Sequence, residues 1–285
     1  MAAVTHCTPK PILQPPQTTP SPFADFPLAE LENPALSDLY YVLCNELNQE
    51  EVLLNLTTAR ANGVHLGFAC WMNFDILAEQ NTPYALLCDA NDNMIALLNV
   101  IKSCVLASDA PGEFMEKFWK NLSSNQELDF QSLLGIDRHY DKASFALLME
   151  QKGWLSTPEK FHAIKTMYAE ERILHHHLNI VDVNAFAELK AWAQRHDLVF
   201  YTIYTSNIAN WLHHSRGQVE VMLSNIETLL NPNTSVVSAQ KSDPLSQEAP
   251  KQELTVGSHP KLKYTTTSKA STRHPGGSVR GNLFG

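Results

Sequence analysis

The stretch LLCDANDNM, ending at Met94, holds oxygen-bearing side chains at two spacings that could do chemistry. Asp89, Asn91 and Asn93 stand at the D-x-N-x-N spacing that begins a calcium loop. Such a loop needs glycine at its sixth position and a bidentate glutamate at its twelfth, where this chain has Met94 and Val100. The apolar run YALL also stands where an entering helix is required. Both failures leave Asp89 as the acid closing a buried strand, placed to accept hydrogen bonds from the ribose hydroxyls of a nucleoside. The same residue type also serves as a helix N-cap for the following NMIALL run.

Other polar residues fall at comparable strand ends. Gly67 to Asn73 follow a first apolar run, Asp182 follows a third, and Tyr204, Ser206 and Asn207 follow a fourth. Asp182, Ser206 and Asn207 can equally cap the helices after them. His175, His176 and His177 alternate across a strand and lack a carboxylate at ligand spacing, so no metal site is expected. Cys70 reads as a thiol lining the pocket, because nothing in the sequence places a base or cation beside it. The five cysteines contain no C-x-x-C pair and are read as reduced thiols.

The elements that must position these groups follow from periodicity. GVHLGFAC, NFDILAEQN and YALLCD read as strand, helix and strand within about 27 residues, close to the minimum for a right-handed βαβ unit. NDNMIALLNVIKSCVLAS continues as a helix. A large helical insertion spans about residues 111–172, with Thr157 and Pro158 opening its last helix. ILHHHLNIVD, VNAFAELKAWAQRHD, LVFYTIYTSN, QVEVMLSNIETLL and TSVVSAQ then alternate strand and helix. The expected fold class is α/β: a mostly parallel, doubly wound Rossmann-like sheet of about five strands, with ligands bound beyond the carboxyl ends of its strands. SDLYYVLCNELNQEEVLLNLTTARAN, ahead of the sheet, reads as a helix capped by Ser37 or Asp38.

Composition bounds the rest. The Pro- and Thr-rich residues 1–33 and the polar residues 236–285 are expected to be disordered, leaving a domain over 34–235. The net charge of −9 is divided, with about +4 in residues 235–285 and about −13 elsewhere. An acidic core argues against neutralising nucleic-acid phosphates. No apolar run is long enough to span a bilayer and no h-region precedes the N-terminal prolines, so a cytoplasmic, membrane-free protein is expected. A polar C-terminus also suits a secretion signal, which would make the chain a translocated effector acting through protein partners.

GVHLGFACWMNF, LLCDANDN and YTSNIANWL resemble the signature stretches of a group of largely uncharacterised bacterial proteins with a class I, S-adenosylmethionine-dependent methyltransferase-like fold. The resemblance covers roughly residues 55–235. It implies S-adenosylmethionine as cofactor and a methyltransferase of unknown acceptor. By it, Gly67 opens the loop under the methionine part, Asn73 lies at the following helix, Asp89 holds the ribose and Asp182 sits near the adenine. Tyr204, Ser206 and Asn207 then face the transferable methyl group. Where such folds have a second glycine in the first turn this chain has Ala69, which tolerates positive φ poorly, so a different or looser turn is expected. That departure favours a catalytically degenerate binding protein as the alternative. A nicotinamide cofactor is disfavoured by the missing G-x-G-x-x-G.

Overall fold

The computed structural model describes residues 21–26, 46–69, 71–124, 153–212, 217–241 and 248–260. Six strands form one sheet in the order β3-β2-β1-β4-β5-β6. They are β1 (Gly63–Phe68), β2 (Tyr84–Asp89), β3 (Ile173–His177), β4 (Val199–Ser206), β5 (Ser235–Gln240) and β6 (Lys251–Val256). The first five run parallel, and β6 adds antiparallel to β5. This is the mostly parallel Rossmann-like order, whose direction of winding reverses between β1 and β4.

Eight α-helices are described: α1 (Gln49–Asn55), α2 (Trp71–Gln80), α3 (Asp92–Leu106), α4 (Pro111–Ser124), α5 (Pro158–Ala169), α6 (Val183–Arg195), α7 (Ile208–Leu212) and α8 (Gln218–Leu229). Alternation along β2 divides the core between two faces. Ala85 and Leu87 join α2 to α5 in a core rich in aromatic residues, including Trp71, Phe114 and Trp154. Leu86 and Cys88 face the other side, with α6 and α8, around Phe186 and Trp192. No helix among the described residues is long and apolar enough to cross a membrane.

Part of the insertion docks through one buried acid. The short 3-10 turn Gly153–Leu155 approaches α2 so closely that a Cβ on Gly153 would stand 2.2 Å from Asp75 Oδ1, and its φ of 77° is one that glycine adopts freely. The Trp154 amide donates to Asp75 Oδ1 at 2.7 Å. Burial raises the Asp75 carboxyl to about 7, against the opposing pull of the Trp154 amide and Lys160. Residues 125–152, including most of YDKASFALLMEQKGWL, lie outside the described residues.

Three expectations are corrected. β5 stands where TSVVSAQ places it, but within the supposedly disordered C-terminal segment beyond it β6 forms a sixth strand. Its order comes from the backbone ladder to β5, which a composition poor in apolar residues does not reveal. Within residues 1–33, Pro22–Asp25 forms a 3-10 turn, Phe23 stacks on Trp192 at 5.4 Å and Phe26 meets the same ring edge-on at 5.0 Å. The Trp192 Nε1–H donates to Pro22 O at 2.8 Å. Two aromatic residues suffice to anchor a chain whose composition otherwise favours solvation. Lastly, of the helix expected over 37–62, the described part is the seven-residue α1; Ser37 and Asp38 lie outside the described residues.

Phe26→Ala is expected to lower unfolding free energy by about 3 kcal/mol in urea titration, whereas an unattached N-terminal segment would leave it unchanged. For Asp75 the sign follows from a folded pKa above its ordinary value: the folded state holds the proton more tightly, so stability falls as pH rises from about 4 to about 7. Asp75→Asn keeps an acceptor for Trp154 and removes that fall. The variant should therefore gain on the wild type across this window, by on the order of 3 kcal/mol at neutral pH. The difference isolates Asp75 because the other shifted groups are common to both proteins: His65, His175 and His176, held neutral by lowered pKa values, act with the opposite sign, and Asp89, raised to about 6, acts with the same sign. Parallel pH profiles of the two proteins would reject the assignment.

Candidate functional site at the carboxyl rim of the sheet

The parallel ladder brings the ends of β2, β1 and β4 to one rim. Gly67 pairs with Leu87 on one side and Tyr204 on the other, and Phe68 pairs with Cys88, one residue before Asp89. Asp89 and the β4 terminus therefore flank the β1 turn, at the point where strand order reverses.

The β1 turn is built by Asn73 from below. Its amide nitrogen donates to Phe68 O at 3.0 Å and to Ala69 O at 3.1 Å. Its Oδ1 therefore receives the proton of His65 Nε2 at 2.9 Å, which assigns the His65 tautomer and leaves Nδ1 buried with no partner among the described residues. Burial pulls the His65 pKa down to about 4, partly offset by the Asn73 hydrogen bond, so the ring is neutral. Gly67 lies directly over this pair: a Cβ there would stand 1.8 Å from Asn73 Oδ1 and 2.6 Å from His65 Nε2. Its missing side chain thus accommodates an internal hydrogen bond. Ala69 takes up φ 64°, the left-handed conformation that its Cβ disfavours. Ala69 thus takes a conformation usual for glycine, and the Asn73 bonds to the Phe68 and Ala69 carbonyls hold the turn there.

Asp89 closes β2 with its carboxylate directed at backbone N–H groups. Asn91 N donates to Oδ1 at 2.9 Å, and the amides of Ala69 and Ala90 also favour the charged form. Burial outweighs these and lifts the Asp89 carboxyl to about 6, so it is ionised at neutral pH. Asp89 does not cap α3. Asn91 does, its Oδ1 accepting from Asn93 N at 3.0 Å. Beside Asp89 in the ladder lies His177, whose Nε2 is 3.0 Å from Ala90 O and 3.6 Å from Asp92 Oδ1.

The β4 end differs. Tyr204 and Ser206 converge on Glu46, a residue that sequence reasoning passed over. The Tyr204 hydroxyl donates to Glu46 Oε2 at 3.0 Å, Ser206 Oγ to Oε1 at 2.5 Å, and Gln252 Nε2 to Oε2 at 2.6 Å. Glu46 is only 4% exposed. Ser206 adopts φ 51°, and the β4–β5 register shifts between Tyr204 and Ser206. Asn207 lies beyond the strand, its Oδ1 accepting from Trp211 Nε1 at 3.3 Å. Nothing local marks Glu46, which falls inside a run with helical periodicity.

Asp182 stands five residues beyond the last residue of β3, is exposed, and caps α6, with Oδ1 accepting from Asn184 N at 2.9 Å and Ala185 N at 3.0 Å. Cys70 lies outside the described residues. His176 packs edge-on against Phe26, while His175 bridges Tyr168 and Asn99 on the opposite face.

Sheet order, the reversal between β1 and β4 and the acid closing β2 define a Rossmann-like α/β domain. The chain belongs to the family described as a domain of unknown function (DUF7790), whose profile matches residues 41–268. No curated protein matches it. Among solved structures, the rRNA methyltransferase aviRa from Streptomyces viridochromogenes is similar at a TM-score of 0.35 and 11% identity, over 70% of this chain and 76% of that one. That likeness assigns no residue a role here.

Gly67→Ala should break the His65–Asn73 hydrogen bond and cost about 1–3 kcal/mol of stability in urea titration. Adding Asn73→Ala removes the closer of the two clashes and leaves the one with His65 Nε2, so the double variant should lose less than the sum of the two single losses. Strict additivity would show that Gly67 is not placed over this pair.

Proposed function

We propose that the chain binds an adenosyl cofactor of the S-adenosylmethionine type at the carboxyl rim of its sheet, and that it is a methyltransferase of unknown acceptor. The observation supporting this reading is Asp89, a carboxylate ionised at neutral pH that closes β2 beside the reversal in strand order. Three backbone donors orient it, which leaves about one of the roughly four lone-pair sites of a carboxylate for a ribose hydroxyl. Gly67 and Asn73 act on this site by shaping the turn, and Cys70 follows that turn in sequence. Asp182 lies on the adenine side. Methyl transfer by in-line displacement asks for proximity and alignment rather than an acid and base pair. Tyr204, Ser206 and Asn207 are the groups nearest the acceptor in this reading.

One observation favours the alternative of a catalytically degenerate binding protein acting through protein partners. The Tyr204 and Ser206 hydroxyls are both engaged by Glu46, so in this conformation neither is directed to an acceptor.

Calorimetric titration with S-adenosylmethionine and S-adenosylhomocysteine tests the proposal. Binding is expected at pH 7.5, with a loss of about 10- to 100-fold in Asp89→Asn, the worth of hydrogen bonds to a charged acceptor. Because the Asp89 carboxyl titrates at about 6, affinity should also fall about tenfold at pH 5, where roughly one carboxylate in ten is ionised. Absence of heat with either ligand on folded wild-type protein would remove the reading.

A further inference from the structure

Three donors from two strands converge on Glu46: a phenol and an alcohol from β4, and a carboxamide from β6. A carboxylate with this many donors, taken out of water, is held as a bound anionic ligand is held. Glu46 reaches the rim on a short strap. Leu47 forms a single parallel bridge to Lys251, through Leu47 N to Pro250 O at 2.8 Å and Gln252 N to Leu47 O at 3.0 Å. Asn48 then turns the chain at φ 68° into α1. Leu47 itself is 47% exposed. The strap is tied down by the Glu46 carboxylate, by the two Leu47 backbone bonds, by Gln49 Nε2 donating to Glu46 O at 2.8 Å, and by the packing of Val52 in α1 and of Leu56 just beyond it.

We infer that the ends of β4 and β6 form a carboxylate-binding site that the chain fills with its own Glu46, and that a ligand's carboxylate takes the same three donors when the strap lifts. Glu46 is then an internal competitor. One of the three donors, Tyr204, pairs with Gly67 in the ladder and Ser206 follows it on the same strand, so an amino-acid carboxylate on a ligand held at Asp89 is the chemistry the site suits. That identification of the ligand rests on the proposed function; the carboxylate site itself does not.

Two measurements separate these claims. In Glu46→Ala the donors remain without their acceptor, so the melting temperature should drop. Acetate should restore it saturably, and acetamide at equal concentration and ionic strength should not; wild type should respond to neither. Equal effects of acetate and acetamide on the variant would overturn the site. If Glu46→Ala does not fold, Leu47→Pro serves in its place: it removes the Leu47 amide donor, leaves Glu46 and its three partners in the sequence, and should make acetate binding detectable by calorimetry where wild type shows none. Failure of acetate to bind that variant would equally overturn the site.

The second measurement compares S-adenosylhomocysteine, which carries the amino-acid carboxylate, with adenosine, which lacks it. The variant that weakens the strap should bind S-adenosylhomocysteine at least tenfold more tightly than wild type does, with adenosine unchanged. Adenosine binding with no gain for S-adenosylhomocysteine would reject Glu46 as a competitor while leaving the nucleoside reading intact. Rescue by acetate with no binding of adenosine would support the carboxylate site and reject the nucleoside reading.

Discussion

The rim depends on the hydrogen bonds of one buried amide. Asn73 enters from the first turn of α2, takes the His65 proton on its oxygen and donates both amide hydrogens to the carbonyls that end β1. A buried amide left unsatisfied costs about 1–3 kcal/mol, so the arrangement resists partial loss. Gly67 has to be small because it lies over this bond, and the left-handed turn at Ala69 is held through the Phe68 carbonyl before it and its own. The Ala69 amide is thereby directed at Asp89. One side chain under the β1 turn thus helps to set the geometry of the acid beside it.

Two carboxylates occupy this rim in different ways. Asp89 is oriented by backbone N–H groups, which cannot rotate away, and burial raises its pKa without neutralising it at pH 7. Glu46 is held by three side chains, each on its own rotatable bonds. Fixed donors suit a permanent site; rotatable donors suit an exchangeable one. The β2 side of the rim is accordingly preorganised, and the β4 side is satisfied from within the chain.

The elements nearest this site were legible in the sequence because each buries a short apolar run at a regular period. β1, α2 and β2 stand where GVHLGFAC, NFDILAEQN and YALLCD place them, and Thr157 caps α5 through a bond to Lys160 N at 3.3 Å. Strand-end acids were legible as a type, but their roles were not. Asp89 and Asp182 are the same residue after similar runs, yet one accepts the amides of the two residues after it and of Ala69 in the neighbouring strand's turn, and the other caps its own helix. Phe23 and Phe26 illustrate the opposite failure, since two aromatic residues among prolines look solvated until Trp192 is placed beneath them.

The sequence by itself determined the alternation of strand and helix, the parallel α/β class and the acid that ends β2, because periodicity and strand length are local properties. Tertiary structure alone decided that β6 extends the sheet, that Gly67 lies over a histidine–asparagine pair, and that Glu46 meets Tyr204, Ser206 and Gln252. Those contacts join residues 8, 158, 160 and 206 positions apart. A hydrogen bond depends on where donor and acceptor meet in space, and no local pattern of residue types encodes a meeting at those separations.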